Sequence, residues 1–111
     1  MAYETKKVDD MDVIFPIGKI NVGNAELFKE EMKALLDAGA TKLIVDCTKV
    51  EYISSVGLRS FLEIAKVMDA VGQKFAMVSP EGDIHDIFED AGFGLMFPVE
   101  NDLESAKKAV N

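Results

Sequence analysis

Two adjacent hydroxyls, Ser54 and Ser55, stand in the stretch EYISSVGLRS, where a strand-like run gives way to a helix-like one. The first N–H groups of a helix have no partner within it, and a serine oxygen at its start accepts a hydrogen bond from one of them. The pair is therefore either a helix cap or the seat of the protein's chemistry, and both readings are physically sound. Gly57 complicates the blander one. A glycine in the first turn of a helix costs about 1 kcal/mol against alanine. A bare backbone is wanted there, either for close approach by a partner chain or for tight packing on a sheet.

The other groups that could do chemistry are thinly spread. His85 is the only histidine, so a histidine metal site or a Ser-His-Asp triad would hang on one residue in a helix. A solvated side chain is the expectation for it. Cys47 has no second cysteine to pair with and reads as a small buried hydrophobe. Asp83, Asp86, Glu89 and Asp90 fall at helical spacings, some near a helix start where acids suit the dipole. They read as a solvated face, not as paired catalytic carboxylates. Neither G-x-x-x-x-G-K-[ST] nor a G-x-G-x-x-G following a strand is present, and Gly92-Phe93-Gly94 reads as a helix stop. The residues predict no catalytic group, no metal and no cofactor.

These side chains must be held by elements that the patterning makes legible. DVIFPIGKI (12–20) is a Val/Ile/Phe-rich strand whose Pro16 implies an edge position or a bulge, and ETKKV is its partner through the polar turn at Asp9-Asp10. Asn24 is expected to cap a helix that places Leu27, Phe28, Met32, Leu35 and Leu36 on one face and stops at Gly39. KLIVDC (42–47) and KFAMVS (74–79) are apolar runs of the kind buried on both faces. Between them, Leu58, Phe61, Leu62, Ala65 and Met68 mark a helix ending at Gly72. A short helix over 80–92, a last strand over 94–99 and a helix over 101–110, capped by Asn101 or Asp102, complete the order. Strands and helices alternate through short connections, which predicts an α/β domain over residues 1–111.

Totals narrow the partners. In 111 residues, 49% are apolar, enough for a real core, and 20 acids against 12 bases leave a formal charge of −8. Such a surface repels phosphate backbones and anionic membranes, so nucleic acid and membrane are excluded as expected partners. One cysteine, no apolar signal core in MAYETKKVDDMD and no run near the ~20 residues of a membrane span predict a cytoplasmic protein.

The stretch KLIVDCTKVEYISSVGLRSFLEIAKVMDAVGQKFAMV resembles the core of the STAS domain, the fold of bacterial anti-sigma-factor antagonists. In that family a buried strand ending in an acid leads to a hydrophobic-x-Asp-Ser-Ser/Thr-Gly-Leu turn that opens a helix. PIGKIN resembles the family's Gly-Glu-Leu-Asp segment, and IHDIFEDAGFGLMFPVENDLESA its C-terminal helix, short strand and helix. The resemblance implies a mixed sheet of four to five strands with about four helices. Carried over by position, the phosphorylated serine falls on Ser55, and Gly57 and Leu58 match the Gly-Leu pair. Ser54 stands where an acid usually precedes the phosphoacceptor, Asn21 replaces the acid of the earlier segment, and Val56 replaces a second Ser or Thr.

The resemblance implies a non-enzymatic partner switch in which Ser55 is both cap and switch. The unphosphorylated domain would bind an anti-sigma factor with serine-kinase activity and free a sigma factor. Phosphorylation would end that binding, and a serine phosphatase would restore it. Asn21, Val22, Gly23 and Asn24, placed beside the phosphosite, join Ser54, Ser55, Val56, Gly57, Leu58 and Arg59 in the expected partner surface. Two other readings stay open: a STAS module that regulates or binds a small ligand without phosphorylation, and an enzyme of unknown type.

Overall fold

Strands with apolar side chains on both faces oblige other elements to cover the sheet on both sides. The computed structural model describes residues 3–111 and shows how this is done. In chain order the elements are β1 (Glu4–Val8), β2 (Met11–Phe15), β3 (Ile17–Ile20), α1 (Ala25–Asp37), β4 (Lys42–Asp46), β5 (Lys49–Ile53) and α2 (Ser55–Ala70). They continue with β6 (Lys74–Val78), α3 (Asp83–Asp90), a 3-10 turn (Phe93–Leu95), β7 (Val99–Glu100) and α4 (Leu103–Ala109). Five strands form one mixed sheet in the order β1-β2-β4-β6-β7, with only the β1–β2 pair antiparallel. The α/β class, the mixed sheet and the four helices agree with expectation.

Three expected elements differ. The single strand over 12–20 is divided at Pro16, which has no N–H to give to a ladder. β2 stays in the main sheet, while β3 leaves it to form a separate parallel pair with β5. The strand over 94–99 shrinks to β7, because Phe93–Leu95 coil into the 3-10 turn after Gly92 enters the left-handed region at φ 79°. The inward face of α1 is Ala25, Phe28 and Met32, and Leu27 points outward, 45% exposed.

The period of two along each strand sorts the core into two layers. Ile14, Leu43, Val45, Phe75 and Met77 meet Phe28 and Met32 of α1, Phe61, Ile64 and Met68 of α2, and Phe88 of α3. On the other face Val13, Ile44, Ala76 and Val78 meet Ala106 and Val110 at α4. That short helix is fixed at its start by Asp102, whose carboxylate accepts the Ser105 N–H at 2.8 Å. The same bond holds the Asp102 carboxyl below its ordinary range. Of the two caps expected, Asn101 or Asp102, the structure uses Asp102.

Aromatic rings bind the first layer together. Phe61 stands edge-on to Phe28 at 5.2 Å, to Phe88 at 5.7 Å and to Phe93 at 6.4 Å between centroids. Its ring joins three elements, so truncation removes contacts that no neighbour can replace. Phe61→Ala is expected to cost about 3–5 kcal/mol of folding free energy, read as a lower midpoint in urea unfolding followed by circular dichroism.

Candidate functional site

The β3–β5 pair decides which segments meet. Ile20 and Ile53 are opposite one another at its end, and the Ser54 N–H extends the pairing by donating to the Ile20 carbonyl at 2.8 Å. The chain leaving β3 (Asn21–Asn24) and the chain leaving β5 (Ser54 onward) therefore emerge side by side.

The first of these is a polar clasp. The Asn24 side-chain oxygen accepts the Asn21 N–H at 2.8 Å, and the Asn21 oxygen accepts the N–H groups of Gly23 at 2.9 Å and Asn24 at 3.2 Å. The Asn24 amide also donates to the Lys19 carbonyl at 2.7 Å. Asn24 thus occupies the cap position of α1 without making the expected side-chain cap, because its amide is spent on the preceding loop. Within this clasp Val22 is left 72% exposed.

The two serines part company on the second segment. Ser54, extended at φ −85° and ψ 168°, accepts the Gly57 N–H on its Oγ at 3.1 Å. It is the cap of α2 and is half-buried. Ser55 is the first helical residue, exposed, and its hydroxyl has no hydrogen-bond partner among the described residues. The expectation that Ser55 is itself the cap is corrected: the helix starts one residue earlier than that reading needs.

Gly57 is explained by packing. A Cβ there would lie 2.9 Å from Ile20 Cγ2 and 2.9 Å from Ile53 Cγ1, and 3.3 Å from the Ile20 carbonyl oxygen. The residue is buried against β3 and β5, so it sets the height of α2 over the strands and presents nothing outward. Ser60, one turn on, is buried as well and donates to the Val56 carbonyl at 3.1 Å. The stripe of α2 that is fully inward is Gly57, Ser60, Phe61, Ile64 and Met68. Counting apolar residues alone favoured Leu58, Leu62 and Ala65, which only border the core. Ser60 and Ile64 are the inward residues that reading passed over, while Gly57 fulfils the tight packing on strands that its position suggests.

The site is free of acid. Among Asn21–Asn24 and Ser54–Arg59 the only charged side chain is Arg59, exposed on α2, while Val56 and Leu58 are half-buried beside it. Elsewhere, burial above all, with Asp46 beside it, pushes the Cys47 thiol far above its ordinary range. The small-hydrophobe expectation for Cys47 holds, and so does the exposed face of Asp83, Asp86, Glu89 and Asp90. His85 departs from expectation. Its ring is half-buried, with Nδ1 2.8 Å from the Ser79 carbonyl oxygen and Nε2 3.7 Å from Glu89. A carbonyl only accepts, so Nδ1 carries the proton and the ring is tethered to the end of β6.

The STAS domain matches residues 2–106, and the chain belongs to that family. It is 34% identical over 109 residues to the "Putative anti-sigma factor antagonist BtrV" of Bordetella bronchiseptica, covering 98% of this chain and 94% of that one. A crystal structure of a "putative anti-sigma factor antagonist" from Thermotoga maritima superposes with a TM-score of 0.89 at 27% identity, covering 97% of this chain and 93% of the other. The Bacillus cell fate determinant SpoIIAA in its phosphorylated form shares the fold, with a TM-score of 0.74 at 19% identity over 99% of this chain and 100% of the other. No helix of the described residues is long and apolar enough to cross a membrane.

The unequal roles of the serines are measurable. Ser54→Ala is expected to lose about 1 kcal/mol of stability through the missing cap, and Ser55→Ala to stay within about 0.5 kcal/mol of wild type in the same denaturant titration. Gly57→Ala poses two opposed terms. The helix gains up to about 1 kcal/mol from alanine, but overpacking against two β-branched side chains costs about 1–3 kcal/mol. Net destabilisation is expected, with an unfolding midpoint below that of wild type.

Proposed function

We propose that this chain is an anti-sigma-factor antagonist whose partner choice is set by phosphorylation of Ser55. The observation that carries the reading is the free, exposed Ser55 hydroxyl on the first residue of α2, with Ser54 supplying the cap beside it. It gains support from the kinship with a chain carrying the BtrV name. In this reading the protein is a substrate and a binding module with no catalysis of its own. Unphosphorylated, in the cytoplasm, it binds an anti-sigma factor that is also a serine kinase, and the sigma factor is freed. Phosphorylation ends the binding, and a serine phosphatase restores it.

The docking surface comprises Asn21, Val22, Gly23 and Asn24 with Ser54, Ser55, Val56, Leu58 and Arg59. Gly57 contributes from beneath by letting α2 sit low on β3 and β5. Val22 is the exposed apolar contact, and the two asparagines hold its loop in one conformation. A phosphate brings about −1.5 to −2 charges at neutral pH. At a helix start that charge is welcome, so the fold stays put while the interface fails. Burying the new charge without a cation across the interface costs several kcal/mol.

The test pairs the protein with a candidate anti-sigma kinase and ATP, read by intact mass. Wild type and Ser54→Ala are expected to gain one phosphate and Ser55→Ala none. The phosphorylated form is expected to bind the kinase on the order of 100-fold more weakly, about 2.7 kcal/mol. Amide NMR shifts are expected to stay near residues 50–60 and the 21–24 loop. Phosphate on Ser55→Ala, or full binding by the modified protein, defeats the reading.

A further inference from the structure

Arg59 is the only arginine in a chain of 20 acids and net charge −8. Several lysines already have a carboxylate: Lys7 with Asp12, Lys29 with Glu63 and Glu26, Lys42 with Asp10, and Lys107 with Glu104. Arg59 has none among the described residues, although it lies exposed on α2. A guanidinium without a carboxylate is notable in so acidic a protein, and the two segments that meet here are themselves free of acids. Residues 52–62 contain no other charged side chain, and residues 20–25 contain none at all.

Spacing shows what Arg59 can reach. Ser55 and Arg59 are i and i+4 on α2, so their Cβ atoms are about 5–6 Å apart on one face. Helical side chains lean toward the N-terminus, which directs the guanidinium back over the turn that carries Ser55. An anionic group at i and a cation at i+4 is also the favourable order.

Resting on the reading of Ser55 as the modified residue, we propose that Arg59 is the internal counter-ion of the phosphorylated side chain. The planar guanidinium donates two N–H bonds to phosphate oxygens, a geometry that a lysine cannot reproduce. Modification then acts twice on the same surface. It adds a dianion, and it withdraws the guanidinium that the bare surface offers to a carboxylate of the partner.

The test installs phosphoserine at position 55 during translation, so that no kinase is needed, and follows the phosphorus NMR signal of the full chain against pH. The second phosphate ionisation ordinarily falls at about 6, and a cation beside the dianion lowers it. The wild-type midpoint is expected at least about half a pH unit below that of Arg59→Gln, with Arg59→Lys between them. Lys66→Gln removes the same charge from α2 at about 16 Å along the axis from Ser55, beyond a Debye length, and is expected to leave the midpoint nearly unmoved. Lys19 on β3, Glu51 on β5 and the Glu26–Lys29–Glu63 cluster of α1 and α2 are common to all four chains and cancel in the comparison. Coincident midpoints for wild type and Arg59→Gln, or equal shifts for Arg59→Gln and Lys66→Gln, overturn the counter-ion. Failure of every kinase to modify Ser55 overturns the site reading instead, and leaves this measurement standing.

Discussion

Everything at the candidate site depends on a parallel pairing only four residues long, β3 against β5, closed by the hydrogen bond from the Ser54 N–H to the Ile20 carbonyl. The pair stands apart from the main sheet, so the big sheet alone would not bring these segments together. It brings the ends of two distant segments to one point, which is costly in chain entropy and needs compensation by burial. Ile20 and Ile53 provide it, both nearly inaccessible, with Gly57 pressed on their side chains. The bare Cα of Gly57 is thus the condition for α2 starting where it does. A larger residue would lift the helix start away from the 21–24 loop.

Much of this architecture was legible in the chain. Asp9 takes φ 57° in the turn that joins β1 to β2, a conformation aspartate tolerates better than most residues, and the polar Asp9-Asp10 step had marked that turn. The apolar runs of β4 and β6 and the stops at Gly39, Gly72 and Gly92 were equally plain, since each glycine adopts a positive φ. The family's order of elements added a mixed sheet of four to five strands, and the structure has five. What was hidden is non-local. IGKI gives no sign that β3 abandons β2 for β5, because Pro16 marks a break in the ladder and not the destination of the chain after it. The identity of the cap was hidden for a different reason. Ser54 and Ser55 have the same propensity, and only the backbone conformation of Ser54 separates them. Leu27 and His85 were misjudged because rotation of a helix by a fraction of a turn decides which side chains face outward.

The charge distribution gives the site its character. The protein is strongly acidic, yet residues 20–25 and 52–62 carry no acid, while Asp83, Asp86, Glu89 and Asp90 line the exposed side of α3. The two places where the family resemblance leads one to expect acids, Asn21 and Ser54, both make structural hydrogen bonds to backbone N–H groups. Neutral acceptors do that work without charge. The result is a patch of amide, hydroxyl and apolar groups with one guanidinium at its edge, and it is on this patch that the proposed recognition of a partner rests. The thiol of Cys47 lies apart from this patch, buried and pushed far above its ordinary range by that burial.

On the proposed reading, the division of labour between the serines follows from this geometry. A hydroxyl that caps a helix is half-buried and committed to an N–H, so a kinase would have to undo the cap to reach it. Ser54 carries that bond, worth about 1 kcal/mol, and Ser55 is relieved of it. The acceptor can then be modified while the first turn keeps its hydrogen bond, and the phosphate meets a helix start that favours negative charge. A switch placed there changes the surface and spares the fold. With the cap one residue upstream and the glycine two residues downstream both engaged with the β3–β5 pair, Ser55 is, of the serines Ser54, Ser55 and Ser60, the one whose hydroxyl has no structural bond to lose among the described residues.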